Sequence, residues 1–259
     1  MAATPKVVIL AGGRGSRLAE ETDLKPKPMV EIGGRPILWH IMKIYSHYGF
    51  NEFIICVGYK GYLIKEFFAN YYMHVSDVTF NLTKNETVVH RSEAEPWTVT
   101  VIDTGLETMT GGRLRRIRDH LGNDDFFLTY GDGVADVNVP AILDVHRSNK
   151  RLTTMTAVRA PGRFGALQID DDRVTAFVEK PPGDGSWING GFMMMNPRVL
   201  DLIADDSTAL ELDTLSNLAG LGELNVHLHH GFWQAMDTLR DRRVLEELWA
   251  SGRAPWKVW

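Results

Sequence analysis

The stretch that decides the fold is Lys6-Val7-Val8-Ile9-Leu10-Ala11-Gly12-Gly13-Arg14-Gly15-Ser16-Arg17-Leu18. Its apolar first half predicts a buried parallel strand. The glycines that follow allow a tight turn that brings backbone N–H groups close to an anion. A helix expected after the turn adds the partial positive charge of its N-terminus. The stretch therefore predicts a phosphate-binding loop in an α/β fold.

Two common phosphate-binding motifs do not fit this loop. A dinucleotide-binding motif needs a third glycine where Leu18 stands. The P-loop pattern, Gly-x-x-x-x-Gly-Lys-[Ser/Thr], is not matched either. The loop is followed instead by Lys25-Pro26-Lys27-Pro28. We expect Arg17 and Lys27 to neutralise a triphosphate at the loop; a solvated first-turn side chain is the alternative for Arg17.

The rest of the chain alternates between apolar strands and segments with helical spacing. Strands are predicted at residues 53–57 and 126–130, and helices at 37–48, 62–72, 113–121 and 139–149. This order implies a parallel sheet covered on both faces. Strand-like segments at 78–82 and 98–102 flank a polar stretch, 85–97, which we interpret as irregular. We interpret the region near 74–102 as a lid or insertion that carries short strands. From about residue 197 the pattern predicts a helical region, in one domain spanning 1–259.

Composition narrows the functional classes. With 44% hydrophobic residues, the 259-residue chain has enough apolar side chains for a sizeable core. The net charge of −5 argues against binding nucleic acid, which needs a broad basic surface. No signal peptide or apolar membrane span is evident, so a soluble cytoplasmic protein is expected. The single cysteine, Cys56, is expected to be a buried hydrophobe.

Two aspartates are candidate metal ligands. Asp132 follows an apolar strand and lies between two glycines, where open α/β sheets bind ligands. Asp237 ends the aromatic stretch 232–237. Two such carboxylates suit Mg²⁺, which prefers oxygen ligands. A turn aspartate is the alternative for Asp132, and a helix N-cap is the alternative for Asp237.

Further segments suit the base and the sugar. The run from Thr110 to Arg113 is predicted to bring backbone groups to the edge of a flat base. Lys180 is a candidate contact for a sugar phosphate, and Glu179 is a candidate acceptor for sugar hydroxyls. An exposed Glu-Lys pair before a proline turn is the alternative. The amide of Asn189 is expected to face sugar or base.

Together these segments resemble a known family. Residues 11–18 and 25–29, with 109–113, 130–136, 161–167, 188–192 and 231–238, resemble the signature of the sugar-nucleotide pyrophosphorylases. Within that superfamily they are most similar to the glucose-1-phosphate cytidylyltransferases, over essentially the whole chain. The resemblance implies a mixed, mainly parallel Rossmann-like nucleotidyltransferase fold with a small inserted β region. It implies transfer of a cytidylyl group from CTP to α-D-glucose 1-phosphate, giving CDP-glucose and pyrophosphate, with Mg²⁺ and in a homo-oligomer.

The resemblance also implies roles for individual residues. Arg17 and Lys27 would be catalytic, Asp132 and Asp237 would hold the metal, and Arg113 would recognise cytosine. The remaining nucleotide-binding residues would be Leu10, Ala11, Gly12, Gly13, Gly15, Ser16, Thr110, Gly111, Gly112 and Gly131. The sugar-phosphate-binding residues would be Gly165, Glu179, Lys180 and Asn189.

One departure leaves the acceptor open. The family commonly has Glu-Pro where Asp213-Thr214 stands here, which is expected to reshape the acceptor side. A nucleotidyltransferase of the same fold using another triphosphate or another phosphorylated acceptor is therefore an alternative. A catalytically silent, sugar-nucleotide-binding regulatory subunit is a second alternative. The intact Lys27, Asp132 and Asp237 argue against it.

Overall fold

A seven-stranded sheet forms the centre of the computed structural model, which describes residues 4–15, 18–159, 166–170, 173–178 and 186–259. The strands are β1 (Val7–Ala11), β2 (Glu31–Ile32), β3 (Arg35–Pro36), β4 (Glu52–Val57), β5 (Ser76–Asn81), β6 (Glu86–Ser92), β7 (Thr98–Asp103), β8 (Phe126–Tyr130), β9 (Gly133–Ala135), β10 (Thr153–Val158), β11 (Ala166–Asp170), β12 (Arg173–Val178), β13 (Ile188–Met195), β14 (Leu224–Leu228) and β15 (Trp233–Ala235). The α-helices are α1 (Ala19–Thr22), α2 (Ile37–His47), α3 (Gly61–Ala69), α4 (Tyr71–His74), α5 (Thr110–Arg116), α6 (Arg118–Leu121), α7 (Val139–Asn149), α8 (Leu215–Gly220) and α9 (Leu239–Ala250).

The central sheet has the strand order β14-β10-β13-β8-β1-β4-β7. Strand β1 lies parallel to both β4 and β8, β4 lies parallel to β7, and β10 lies parallel to β14. Only β13 reverses direction within this sheet, since it pairs antiparallel with β8 and β10. The predicted fold class, a mixed and mainly parallel sheet, is confirmed.

The central strands are continuous apolar runs because both faces of the sheet are covered. All five residues of β1 are buried. Val7 and Ile9 contribute to one hydrophobic cluster, together with the apolar face of α2. Val8 and Leu10 contribute to a second cluster, on the other face, together with apolar residues of α5 and β13. The alternation of side chains along β1 therefore joins two core layers.

Two predictions from the sequence pattern are wrong. Residues 85–97 were expected to be irregular, but β6 pairs with β5 in a separate antiparallel hairpin. Most of this hairpin is exposed, so its strands lack the apolar alternation that marks a half-buried strand. The region from about 197 was expected to be helical, but β14 forms an edge of the central sheet and β15 pairs with β9.

Several helices have different bounds from those predicted. The segment predicted at 62–72 forms two helices, α3 and α4, which meet at Asn70. The segment predicted at 113–121 also forms two, and α5 begins earlier, at Thr110. Between residues 197 and 214 the chain forms a 3-10 helix (Pro197–Leu202) and a π-helix (Leu210–Thr214).

The aromatic tail packs on the core of its own chain. Trp256 is fully buried, and its indole Nε1 donates a hydrogen bond to His40 Nδ1 at 3.3 Å. Burial lowers the pKa of His40 to about 4, so the ring is neutral at pH 7 and accepts that bond. Cys56 is buried in β4, as expected. Within the described ranges, no helix has the length and apolar character needed to cross a membrane.

Candidate active site

A cavity of about 350 Å³ opens at the carboxyl ends of β1 and β8. The loop after β1 forms one wall, and Gly131 and Asp132, which follow β8, form another. Its lining residues are Leu10, Ala11, Gly12, Gly13, Gly15, Lys27, Pro28, Thr108, Met109, Thr110, Arg113, Tyr130, Gly131 and Asp132. The structure thus brings most of the predicted nucleotide-binding residues together. Ser16 and Arg17 lie outside the described residues.

The conformation of the glycine loop depends on two of its glycines. Gly15 has a φ of +65°, in the left-handed region that favours glycine. A Cβ on Gly12 would lie 2.2 Å from Arg113 Nη1, so only glycine lets the backbone rest on that guanidinium. The carbonyl of Gly12 accepts hydrogen bonds from Arg113 Nη2 and from the backbone N–H of Tyr59, both at 3.2 Å.

Arg113 holds the loop from beneath. Its side chain is 4% exposed, and burial lowers the pKa of its guanidinium. Nη1 donates to Thr104 Oγ1 at 2.8 Å and to the carbonyls of Gly105 at 2.8 Å and Val57 at 3.2 Å. Nη2 donates to the carbonyls of Gly12 and Leu106. The predicted contact with cytosine stays a prediction, and in this structure the terminal nitrogens bind backbone and Thr104.

Gly111 and Gly112 are not placed as predicted. They do not line the cavity, and their backbone N–H groups both donate to the carbonyl of Thr208, at 3.0 and 3.3 Å. A Cβ on Gly112 would lie 2.6 Å from the carbonyl oxygen of Asp206. These glycines therefore let the start of α5 pack closely against residues 206–208, and their N–H groups are not available to a base.

Lys27 lies at the centre of a charged cluster. It begins a short 3-10 helix, Lys27–Met29, that directs its side chain inward. Its Nζ donates to Asp132 Oδ2 and to Asp237 Oδ1, each at 2.7 Å. Burial by itself would lower the pKa of Lys27, but the two carboxylates raise it above the ordinary value. The ammonium is therefore charged at neutral pH.

The two aspartates fit a single hard cation. One oxygen of each carboxylate lies 2.7 Å from the Lys27 ammonium, so the two carboxylates are close enough to share one cation. Thr238, and not Asp237, is the N-cap of α9, since its hydroxyl accepts from the N–H of Asp241 in a capping box. Asp237 is therefore not needed for that role. No cluster of three or more metal-binding side chains occurs in the described ranges.

A second cavity, of about 310 Å³, lies beside the first. Its lining residues are Thr129, Tyr130, Asp132, Gly133, Asn189, Gly190, Gly191, Phe192, Trp233, Ala235 and Asp237. Tyr130 and Asp132 line both cavities and therefore stand between them. Asn189 lines this cavity, and its contact with a sugar stays a prediction. Gly165, Glu179 and Lys180 lie outside the described residues.

Several lining residues of the two cavities are not among those predicted from the sequence, and Tyr130 and Trp233 are the two with the largest side chains that can form hydrogen bonds. Tyr130 immediately precedes Gly131-Asp132, so its position at the strand end was the available signal. Trp233 donates from its indole Nε1 to the carbonyl of Gly190 at 2.8 Å, and nothing in the sequence pattern distinguished it from neighbouring core aromatics. Asp213, from the departure noted above, lines neither cavity. Its carboxylate accepts from the backbone N–H of Ala209 at 2.7 Å.

A loop for phosphate, a buried lysine and a carboxylate pair, all at the carboxyl edge of this sheet, define the class as a nucleotidyltransferase. A family model described as nucleotidyl transferase matches residues 6–234. The chain is 58% identical over 255 residues to a glucose-1-phosphate cytidylyltransferase of Salmonella typhi, covering 98% of this chain and 99% of the relative. The chain belongs to the glucose-1-phosphate cytidylyltransferase family.

More distant relatives share the fold. A mannose-1-phosphate guanyltransferase of Saccharomyces cerevisiae is 28% identical over 245 residues, covering 91% of this chain and 62% of that protein. The crystal structure of HddC from Yersinia pseudotuberculosis superposes with a TM-score of 0.70 at 23% identity, covering 95% of this chain and 100% of that one. A UDP-glucose pyrophosphorylase of Acinetobacter baumanii has a TM-score of 0.68 at 14% identity, covering 94% and 92%.

The buried position of Arg113 generates a first prediction. Arg113→Lys exchanges a planar guanidinium for an ammonium that cannot reach the same five acceptors. We expect the free energy of unfolding to fall by about 2 kcal/mol in urea denaturation. Because the terminal nitrogens of Arg113 are bonded within the protein, kcat/KM should fall by the same factor for CTP and for UTP.

The matched control is Arg115→Lys, two residues along the same helix, where the side chain is exposed. It should change neither stability nor turnover. An Arg113→Lys protein of unchanged stability that loses only its preference for CTP over UTP would contradict a supporting role and favour direct contact with the base.

Proposed function

We propose that this chain transfers a cytidylyl group from CTP to α-D-glucose 1-phosphate, releasing CDP-glucose and pyrophosphate. The observation that carries the proposal is the pair of adjacent cavities that share Asp132 and Tyr130. One cavity has the glycine loop and Lys27 for a triphosphate, and the other has polar groups for an acceptor. The name of the 58% identical relative supports the choice of CTP and glucose 1-phosphate.

The reaction is a displacement at the α-phosphorus. A phosphate oxygen of the sugar phosphate forms a bond to this atom, the bond to the bridging oxygen breaks, and pyrophosphate leaves with the electron pair. The acceptor supplies the nucleophile, so no covalent intermediate with the protein is required. Catalysis then rests on positioning and on stabilisation of charge, as in phosphoryl transfer generally.

Lys27 supplies positive charge where the negative charge develops. Its ammonium lies at the wall of the first cavity, beside the carboxylate that lines both. A fixed cation in a partly buried site interacts more strongly with a phosphate than a solvated cation does. The resemblance supports a similar contribution from Arg17.

Asp132 and Asp237 are proposed to hold one Mg²⁺ between them. When bound, the ion offsets the charge of the phosphates. The pairing of both carboxylates with one ammonium supports this proposal, because the same two oxygens are close enough to be shared by one cation. Lys27 thereby holds one oxygen of each carboxylate in place.

The acceptor is proposed to bind in the second cavity. Asn189 is held by its own backbone, since its Oδ1 accepts from the N–H of Gly191 at 2.8 Å. Its amide nitrogen remains directed to the Tyr130 hydroxyl and the cavity. Gly165, Glu179 and Lys180 are proposed to complete this side, on the strength of the family resemblance.

Self-association is also proposed, with the hairpin of β5 and β6 as the contact. This hairpin exposes apolar side chains, with Phe80 and Val89 on one face, Val88 on the other, and Leu82 in the turn between the strands. The tail is not needed for this contact, because Trp256 is already buried in its own chain. Sedimentation velocity should give a mass above that of one chain.

The direct test of the function is a matrix of nucleoside triphosphates against sugar 1-phosphates, with pyrophosphate release as the readout. We expect CTP with glucose 1-phosphate to give the highest kcat/KM, and the product to be CDP-glucose by mass spectrometry. Faster release of pyrophosphate from a different pair would change the assigned substrates and leave the assigned reaction class as it is. No release from any pair would remove the enzymatic function.

A second prediction concerns Lys27. Lys27→Ala should lower kcat by about 10³-fold, because a preorganised cation at the reacting phosphate is lost. Lys25→Ala is the matched control, since Lys25 pairs with Glu31 at 2.8 Å outside both cavities and should leave kcat within about twofold. Near-normal turnover of a folded Lys27→Ala protein would refute this assignment.

The metal site generates a third prediction. Asp237→Asn keeps the shape of the side chain and removes its charge, so half-maximal turnover should require at least about tenfold more Mg²⁺. Binding of Mn²⁺ in the presence of CTP, followed by electron paramagnetic resonance, should weaken by a similar factor.

Asp136→Asn is the control for that experiment, because Asp136 pairs with His229 and lines neither cavity. The Mg²⁺ concentration for half-maximal turnover should be the same for Asp136→Asn as for the unmodified protein. If Asp237→Asn also leaves both the Mg²⁺ demand and Mn²⁺ binding unchanged, Asp237 is not a metal ligand.

A further inference from the structure

The two cavities are connected through a carboxylate that lines neither of them. Glu211, in the π-helix Leu210–Thr214, accepts a hydrogen bond from the Tyr130 hydroxyl at 2.6 Å and another from the Thr110 hydroxyl at 2.7 Å. Thr110 lines the nucleotide cavity, and Tyr130 lines both cavities. One carboxylate therefore binds a wall of each.

Each arm of this bridge is continued by a further hydrogen bond. On the acceptor side, the Tyr130 hydroxyl accepts from Asn189 Nδ2 at 3.3 Å. On the nucleotide side, Thr110 Oγ1 accepts from the backbone N–H of Leu210 at 2.9 Å. The Thr110 hydroxyl therefore donates its single proton to Glu211. The result is a continuous path from the start of α5 to the amide of Asn189.

The bridge uses both oxygens of the Glu211 side chain as acceptors. A carboxylate has an acceptor oxygen for each hydroxyl, whereas an amide has one acceptor and a donor. At Tyr130 a donor is not useful, because the hydroxyl already accepts from Asn189. Burial, and next the charge of Glu211, raise the pKa of Tyr130, so the phenol keeps the proton that it donates. The π-helical turn places Glu211 at this point, and such turns are frequent at functional sites.

We propose that Glu211 is a positioning residue that fixes the nucleotide wall and the acceptor wall relative to each other, and so sets the KM for both substrates. This rests on the function proposed above and adds to it a residue outside both cavities. Loss of the carboxylate frees Thr110 and Tyr130 to move independently. A small misplacement of two reacting groups is costly when catalysis depends on positioning.

The test is a set of double-mutant cycles with both KM values as readouts. Glu211→Gln should raise the KM for glucose 1-phosphate and the KM for CTP about tenfold each, as expected for loss of charge-assisted hydrogen bonds. Tyr130→Phe should raise mainly the KM for glucose 1-phosphate, and Thr110→Val should raise mainly the KM for CTP. In the Tyr130→Phe background, Glu211→Gln should no longer raise the KM for glucose 1-phosphate. An undiminished effect in that background overturns the proposal.

Asp213→Asn is the matched control on the same π-helix, because Asp213 is exposed and bonds only locally to Ala209. It should leave both KM values unchanged. A purely structural role for Glu211 predicts a lower melting temperature with no selective effect on either KM, and that result also overturns the proposal.

Two further measurements keep the test decisive. If Glu211→Gln does not fold, a cycle between Thr110→Val and Tyr130→Phe measures the same bridge with Glu211 in place. These two residues should be coupled, and strictly additive effects refute the bridge. If the unmodified chain shows no turnover, the proposed function fails separately. The nucleotide arm is then judged by calorimetric binding of CTP to the Thr110 and Glu211 variants.

Discussion

A buried guanidinium has to find acceptors, and in this molecule the ends of neighbouring strands supply them. Arg113 donates to carbonyls that follow β1 and β7 and to the last carbonyl of β4. An unpaired charge in this position would cost several kcal/mol, so the three strand ends and α5 are held in one arrangement. That arrangement also fixes the position of the glycine loop after β1, because Gly12 packs against the guanidinium of Arg113.

The second cation of the site has the opposite environment. Lys27 is surrounded by carboxylates, whereas Arg113 is surrounded by neutral carbonyls. Arg113 therefore holds backbone segments together, and Lys27 holds two carboxylates together at the cavity wall. This division suits the chemistry of each group, since a guanidinium binds several acceptors in a plane and an ammonium acts as a compact point charge.

Much of this arrangement can be predicted from the sequence, for identifiable reasons. The strands β1, β4 and β8 are apolar runs because they are buried on both faces, and Asp132 could be placed because it follows one of them. The hairpin strand β6 and the edge strand β14 could not be predicted from the sequence. Each forms a strand because it pairs with a neighbouring strand, and its own residues show no strand pattern. The environment of Arg113 could not be predicted for a similar reason, since its acceptors come from three separate segments of the chain, at the ends of β1, β4 and β7.

The bond between Lys27 and Asp237 joins residues 210 positions apart, which has a consequence for synthesis of the chain. Translation delivers the glycine loop and Lys27 first, and Asp237 long afterwards. During that interval one edge of β10 has no partner strand, because β14 is synthesised much later. An unpaired edge in a nascent protein is a site for association with other chains. The late segment that completes the charged cluster around Lys27 is thus close in sequence to the strand that covers this edge, so the cluster and the protected sheet form at nearly the same stage of synthesis.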